Sequence, residues 1–193
     1  MSSDFRIVEE PKKPLAMHPK KFAMWLFLGS VLMLFAAFTS AYIVRQAEGN
    51  WVYFELPTLF YTSTIIILLS SVTMQWAYVA TKKDNLETAR VMISITAVLG
   101  VGFLISQLLG WNELVQKSIH FVGNPSGSFL YVLTGLHGLH VVSAIIYLLV
   151  MLVWIFRAKV HSRNLAPAEM CATYWHFLGG LWLYLFVFLL LNR

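Results

Sequence analysis

The sequence predicts an all-α fold, an integral membrane bundle of five transmembrane helices with its N-terminus inside and its C-terminus outside. Three observations predict it. The chain is 59% hydrophobic and 12% charged, which is about half the charge of a soluble domain and more apolar surface than a soluble core can hide. Five apolar runs, residues 21–44, 57–80, 90–115, 129–156 and 168–191, each cross a hydrocarbon layer of roughly 30 Å at about 1.5 Å per helical residue. These runs are apolar on most faces instead of alternating every second residue, which excludes barrel strands.

Residues 1–20 are polar, carry Pro11, Pro14 and Pro19, and contain no apolar stretch of signal-peptide type. They read as a cytoplasmic segment leading into a membrane domain over 21–193, whose first apolar run does the targeting. That run contains Gly29, Ala36, Ala37, Ser40 and Ala41, and the fourth contains Thr134, Gly135 and Gly138, small residues that let helices approach closely. Turn formers at Gly49-Asn50, Lys82–Asn85, Gly123–Gly127 and Ser162–Pro167 make the connections short, so consecutive helices are expected to be antiparallel neighbours. Lys and Arg number eleven beside the N-terminus and the even-numbered loops, against three (Arg45, Lys117 and Arg193) on the other side. This asymmetry places the N-terminus in the cytoplasm. Trp51, Tyr53, Trp111, Tyr131 and Trp154 fall near span ends, where amphipathic rings sit at the interface.

Composition also narrows the chemistry. The net charge of +5 is accounted for by the membrane-flanking cations, so no nucleic-acid partner is expected. A single cysteine, Cys171, builds neither a disulfide nor a thiolate metal site within the chain. No nucleophile elbow, phosphate loop or carboxylate cluster occurs, so neither catalytic nor metal-binding residues are expected. What remains are polar groups inside the spans: Gln75, Gln107, His137, His140 and His176, each of which needs an explanation at membrane depth. His137 and His140 share a face of the fourth helix. Counted along the helices, His140 and His176 lie at nearly the same depth, about 16 and 18 Å from the external surface. Two such imidazoles on different helices could clamp a heme, as in a membrane cytochrome b. The plainer reading is interhelical hydrogen bonding, with Gln107 level with His137 and expected to bond to it. Glu113 reads as an interfacial carboxylate. A channel or transporter would require a hydrated polar path, whereas the interior offers only amides, imidazoles and hydroxyls.

Five ordered stretches carry a resemblance. They are Met24–Ser30 with Phe35–Tyr42; Leu56-Pro57 with Leu68–Thr73, Trp76 and Ala77; Gln107 through Trp111 and Glu113; Thr134-Gly-Leu-His137-Gly-Leu-His140-Val141; and Tyr174-Trp175-His176-Phe177 with Trp182. Together they span residues 20–191 and resemble subunit III of the heme-copper cytochrome c and quinol oxidases, in its short five-helix form. This form lacks the two leading helices that bound a lipid-filled cleft in longer members. The sequence departs from the family at Val31, Gly179 and Gly110, where members commonly carry carboxylates.

The resemblance implies a subunit without redox centres of its own, in a bacterial-type inner membrane. It would pack against the catalytic subunit I, with subunit II in the same complex and the hemes and copper held by those partners. It further implies structural phospholipid and support for sustained turnover and proton uptake. Gln107, Trp111, Glu113, His137, His140, Trp175 and His176 are then candidates for lipid or subunit contact. The loop bearing Lys82, Lys83, Asp84, Glu87 and Arg90 reads first as a solvated charged loop, and second as a proton-collecting surface.

Overall fold

The computed structural model describes residues 19–157 and 165–192. Most of the polar segment at 1–20 and most of the loop around Ser162 lie outside the described residues. Five helices follow one another: α1 (Pro19–Ala47), α2 (Thr58–Lys82), α3 (Leu86–Gln116), α4 (Pro125–Phe156) and α5 (Ala166–Leu191). All five are long and apolar enough to cross a membrane.

The helices outrun the apolar runs because polarity and helix termination have different causes. Asn85 caps α3 by accepting from the Thr88 amide, so that helix starts at Leu86, four residues before the apolar run. Asn124 accepts from the Ser126 amide and hydroxyl ahead of Pro125, and α4 therefore takes in Gly127 instead of beginning at Phe129. The α2–α3 turn is held by two backbone bonds, Asn85 N–H to Ala80 O and Asp84 N–H to Thr81 O, with Asp84 at φ 55°. This is the 6→1 and 5→2 pattern that satisfies the last carbonyls of a helix. Asn85 thus closes α2 and opens α3, which makes them a tight antiparallel pair.

Buried positions recur in steps of three and four along every helix. On α2 they are Phe60, Ser63, Ile67, Ser70, Met74, Ala77 and Thr81, and on α3 Ala89, Ile93, Thr96, Gly100, Phe103, Gln107, Gly110 and Leu114. On α4 the series is Leu130, Thr134, His137, Val141, Ala144, Leu148, Met151 and Ile155, and on α5 Ala168, Cys171, Trp175, Leu178, Trp182, Leu185 and Leu189. A seven-residue period keeps one seam facing inward along nearly parallel helices. The result is a closed ring in which α2 packs on α3, α3 on α4, α4 on α5 and α5 on α2.

The first helix corrects the expectation that consecutive helices are neighbours. α1 packs on α4 and α5, and α2 is not among its neighbours. Residues 48–57, without regular structure after Gly49 and Asn50 turn the chain at φ 86° and 53°, carry it across the end of the bundle. Ten residues reach about 33 Å when extended, and Trp51 anchors them against Tyr42 and Phe129 at ring distances of 4.6 and 6.4 Å. α1 runs parallel to α5. Lys21 Nζ meets Glu169 at 2.6 Å at one end, while Tyr42 and Gln46 donate to Asn192 O at the other. Because the Lys21–Glu169 pair is partly exposed, Lys21→Met is expected to cost under about 1 kcal/mol in a thermal melt.

Candidate functional site in the polar interior

The sequence-predicted polar residues are distributed along four helix interfaces, where one hydrogen-bond pattern recurs. Trp182 Nε1 on α5 donates to Thr64 Oγ1 on α2 at 3.0 Å, and Trp175 Nε1 donates to Ser70 Oγ at 3.1 Å. Gln107 Nε2 on α3 donates to Ser63 Oγ at 2.8 Å, and Trp111 Nε1 donates to Thr134 Oγ1 on α4 at 3.1 Å. In each case the accepting hydroxyl donates in turn to a carbonyl one turn back on its own helix: Phe60 for Ser63 and Thr64, Ile67 for Ser70, Leu130 for Thr134. A Ser or Thr that back-bonds in this way keeps lone pairs for a neighbour's N–H, so helices are tied without water. Thr73 and Thr96 share a further bond at 2.8 Å between α2 and α3. Exchanging Thr64 for Val keeps the volume and removes the acceptor. It is expected to cost about 0.6 kcal/mol, the average for an interhelical membrane hydrogen bond, measured as a shift in the detergent-unfolding midpoint.

The expected Gln107–His137 bond is not made. Gln107 faces α2, whereas His137 Nε2 donates to Leu178 O on α5 at 3.1 Å. The Phe103 ring stands edge-on to the His137 ring at 5.6 Å, one turn below Gln107 on the side of α3 that faces α4. His137 and Trp182 are fully buried with Phe103 and Phe60, in an aromatic cluster whose ring distances run from 5.0 to 6.0 Å.

The two histidines read as a possible heme pair are turned apart. His140 Nδ1 donates to Leu136 O on its own helix, and its ring lies 5.9 Å from Phe35 and 6.4 Å from Phe27 of α1. His176 Nε2 meets Gln75 Oε1 of α2 at 3.2 Å. Nothing in this arrangement favours a cytochrome b. Among the described residues, no group of three or more His, Cys, Asp or Glu side chains is placed to hold a metal ion. Glu113 pairs with Lys117 at 2.9 Å near the end of α3.

Sequence reasoning missed Ser63, Thr64, Ser70 and Thr96, and took Thr134 only as a small packing residue. The seven-residue spacing of Ser63, Ser70 and Ala77 on one seam was the available signal. The three positions where carboxylates are common in the resembled family have close neighbours here, most so at Gly110. A side chain grown from Gly110 would start 2.8 Å from the Phe60 ring, and one from Gly179 3.1 Å from Ser71 Oγ. Val31 is buried.

The fold and its interior define a polytopic membrane protein in which several buried polar groups bond one helix to another. Sequence comparison says which one. A family model described as cytochrome c oxidase subunit III matches residues 12–192. The chain is 28% identical over 172 residues to cytochrome c oxidase subunit 3 of Bacillus sp. (strain PS3), covering 86% of this chain and 83% of that one. It is 27% identical over 198 residues to the subunit 3 of Alkalihalophilus pseudofirmus, covering 92% and 93%. To a probable cytochrome c oxidase subunit 3 of Nocardia farcinica it is 31% identical over 168 residues, covering 83% and 82%. The chain belongs to the cytochrome c oxidase subunit III family, and as such it is a component of an oxidoreductase complex.

Proposed function

We propose that this chain is a non-catalytic subunit of a proton-pumping terminal oxidase in the cell membrane, oriented with its N-terminus in the cytoplasm. It packs against the subunit that holds the hemes and copper and sustains that subunit's turnover and proton uptake. The observation that carries the reading is the recurrent N–H to hydroxyl tie. The indoles of Trp111, Trp175 and Trp182 and the Gln107 amide are each spent on a neighbouring helix, as a structural subunit requires. An affinity tag on this chain, used in mild detergent, should bring down a polypeptide carrying heme and copper. Recovery of the chain alone from membranes active in oxygen reduction would contradict the reading.

Around Asp84 and Glu87 the reading is a solvated charged loop that obeys the positive-inside asymmetry. Neutralising both as Asp84→Asn and Glu87→Gln should leave the oxygen-reduction rate and proton uptake of the purified complex unchanged. A fall in either would assign the loop a part in collecting protons.

A further inference from the structure

Two acceptors at the centre of the bundle are left over by the bonds around them. Gln107 Nε2 is committed to Ser63 Oγ, whose own proton goes to Phe60 O, and His137 Nε2 is committed to Leu178 O. Gln107 Oε1 and His137 Nδ1 remain, both buried and without a hydrogen-bond partner among the described residues. We infer that one ordered water molecule is enclosed here, donating one O–H to Gln107 Oε1 and the other to His137 Nδ1.

Their placement on the helices brings the two atoms to one spot. Phe103, Gln107 and Trp111 follow one another in steps of four and share a stripe of α3. Phe103, one turn before Gln107, packs on the His137 ring at 5.6 Å, and Trp111, one turn after it, bonds to Thr134, one turn before His137. Gln107 thus leaves α3 opposite the turn of α4 that ends in His137. Its amide reaches on to Ser63, next to Thr64, and Thr64 holds the Trp182 indole, whose ring lies 5.1 Å from that of His137. The amide and the imidazole therefore border the same aromatic cluster.

The chemistry selects the occupant. An imidazole that donates from Nε2 carries a bare lone pair at Nδ1, and a carboxamide oxygen only accepts. Two buried acceptors need two donors, because a bare polar atom inside a membrane is costly. The rings around His137 offer no counter-charge to hold a second proton on it. Turning the Gln107 amide over would aim an N–H at His137 but set the amide oxygen against Ser63 Oγ, whose proton is already given to Phe60. A metal ion needs further ligands, and among the described residues no group of three His, Cys, Asp or Glu side chains is placed to supply them. Water is neutral and small, brings both donors on one oxygen, and is held in protein interiors by two to four polar groups. Trp51 Nε1 and Arg90 Nε also lack partners among the described residues, but both are donors on partly exposed residues at span ends, where interfacial water serves them. With the enclosed water, one hydrogen-bonded chain crosses the ring from Ser63 on α2 through Gln107 on α3 and His137 on α4 to Leu178 on α5. A water-mediated bond is nearly as favourable as a direct one, so the link expected from the common level of Gln107 and His137 is made through solvent.

The test uses the chain in its native assembly, purified in mild detergent. A density map at a resolution of about 2 Å is expected to show a solvent peak within roughly 3.2 Å of both Gln107 Oε1 and His137 Nδ1. No peak, a peak beside one of the two alone, direct contact between the two side chains, or a peak with the density of a metal ion overturns the assignment. Radiolytic footprinting gives an independent readout, because hydroxyl radicals formed at an ordered water oxidise the side chains beside it. Trp182 and Trp175 are both buried, but only the Trp182 ring packs on His137. Trp182 is expected to be oxidised about tenfold faster than Trp175, and in a Gln107→Met variant that still assembles the two rates should converge. Equal rates in the unaltered chain, or a difference that persists in Gln107→Met, overturns the bridge.

Discussion

Trp182→Ala is expected to be the most damaging single substitution in the chain, lowering stability by about 3 to 5 kcal/mol, the range for removing a large buried aromatic. The Trp182 ring is fully buried where three helices converge on it. Phe60 lies at 6.0 Å, Phe103 at 5.0 Å and His137 at 5.1 Å, and the indole N–H is bonded to Thr64. Alanine therefore opens a cavity between α2, α3, α4 and α5 and leaves the ring of aromatics with nothing to pack against. A loss of that size is a fifth or more of a typical folding free energy of roughly 5 to 15 kcal/mol, so the variant should be degraded before it reaches the complex. Trp182→Phe separates the two contributions, because it keeps most of the volume and loses only the Thr64 bond. Its unfolding midpoint in detergent should lie near that of Thr64→Val. Equal behaviour of the Phe and Ala variants would show that the hydrogen bond, and not packing, holds this region.

The second large effect is expected at Gly100, where α3 meets α4 and α5. A Cβ there would lie 2.7 Å from Trp175 Cη2, closer than nonbonded carbons approach, and 3.2 Å from Ile145 Cγ1, a tight contact. The indole is itself pinned by its bond to Ser70 on the far side, so it cannot retreat without breaking a tie to α2. Gly100→Leu should thus cost at least the roughly 1 to 3 kcal/mol of an overpacked core, plus the lost Ser70 bond. The control lies two residues away. Gly102 has nothing within 4 Å of an added Cβ, and Gly102→Leu gains about 1 kcal/mol of helix propensity in a helix interior. Accumulation of the two variants in membranes should differ several-fold, with Gly102→Leu at or above the parent level. If both fold equally well, the close approach of α3 to Trp175 is not a requirement of the bundle.

Much of this organisation was legible before any coordinates. Twenty-residue apolar runs have one physical solution in a membrane, and all five became helices. Their ends were less legible because a charged or amide-bearing residue ends an apolar run without ending a helix, as Asn85-Leu86-Glu87 and Asn124-Pro125-Ser126 show. Depth could be counted along each helix, but azimuth could not, since helices apolar on most faces give little sign of which neighbour each face meets. His140 and His176 therefore looked like a pair from their levels alone, and Gln107 was matched to His137 for the same reason. The place of α1 was hidden by the ten residues at 48–57, which lie outside any helix and let a helix land away from the one that follows it in sequence. The candidate contact residues divide along the same line. Trp175, Trp111, Gln107 and His137 each bond to a neighbouring helix of the chain. His176, half-buried on α5, is tied to Gln75 of α2.

The account rests on the claim that the polar interior joins helices and that electron transfer belongs to other subunits of the complex. The most direct test is a reduced-minus-oxidised visible spectrum of this chain after it has been separated in detergent from its partners. The account predicts no Soret band in the isolated chain, with all the heme remaining in the partner fraction. A Soret band that stays with this chain and disappears in His140→Ala or His176→Ala would contradict it.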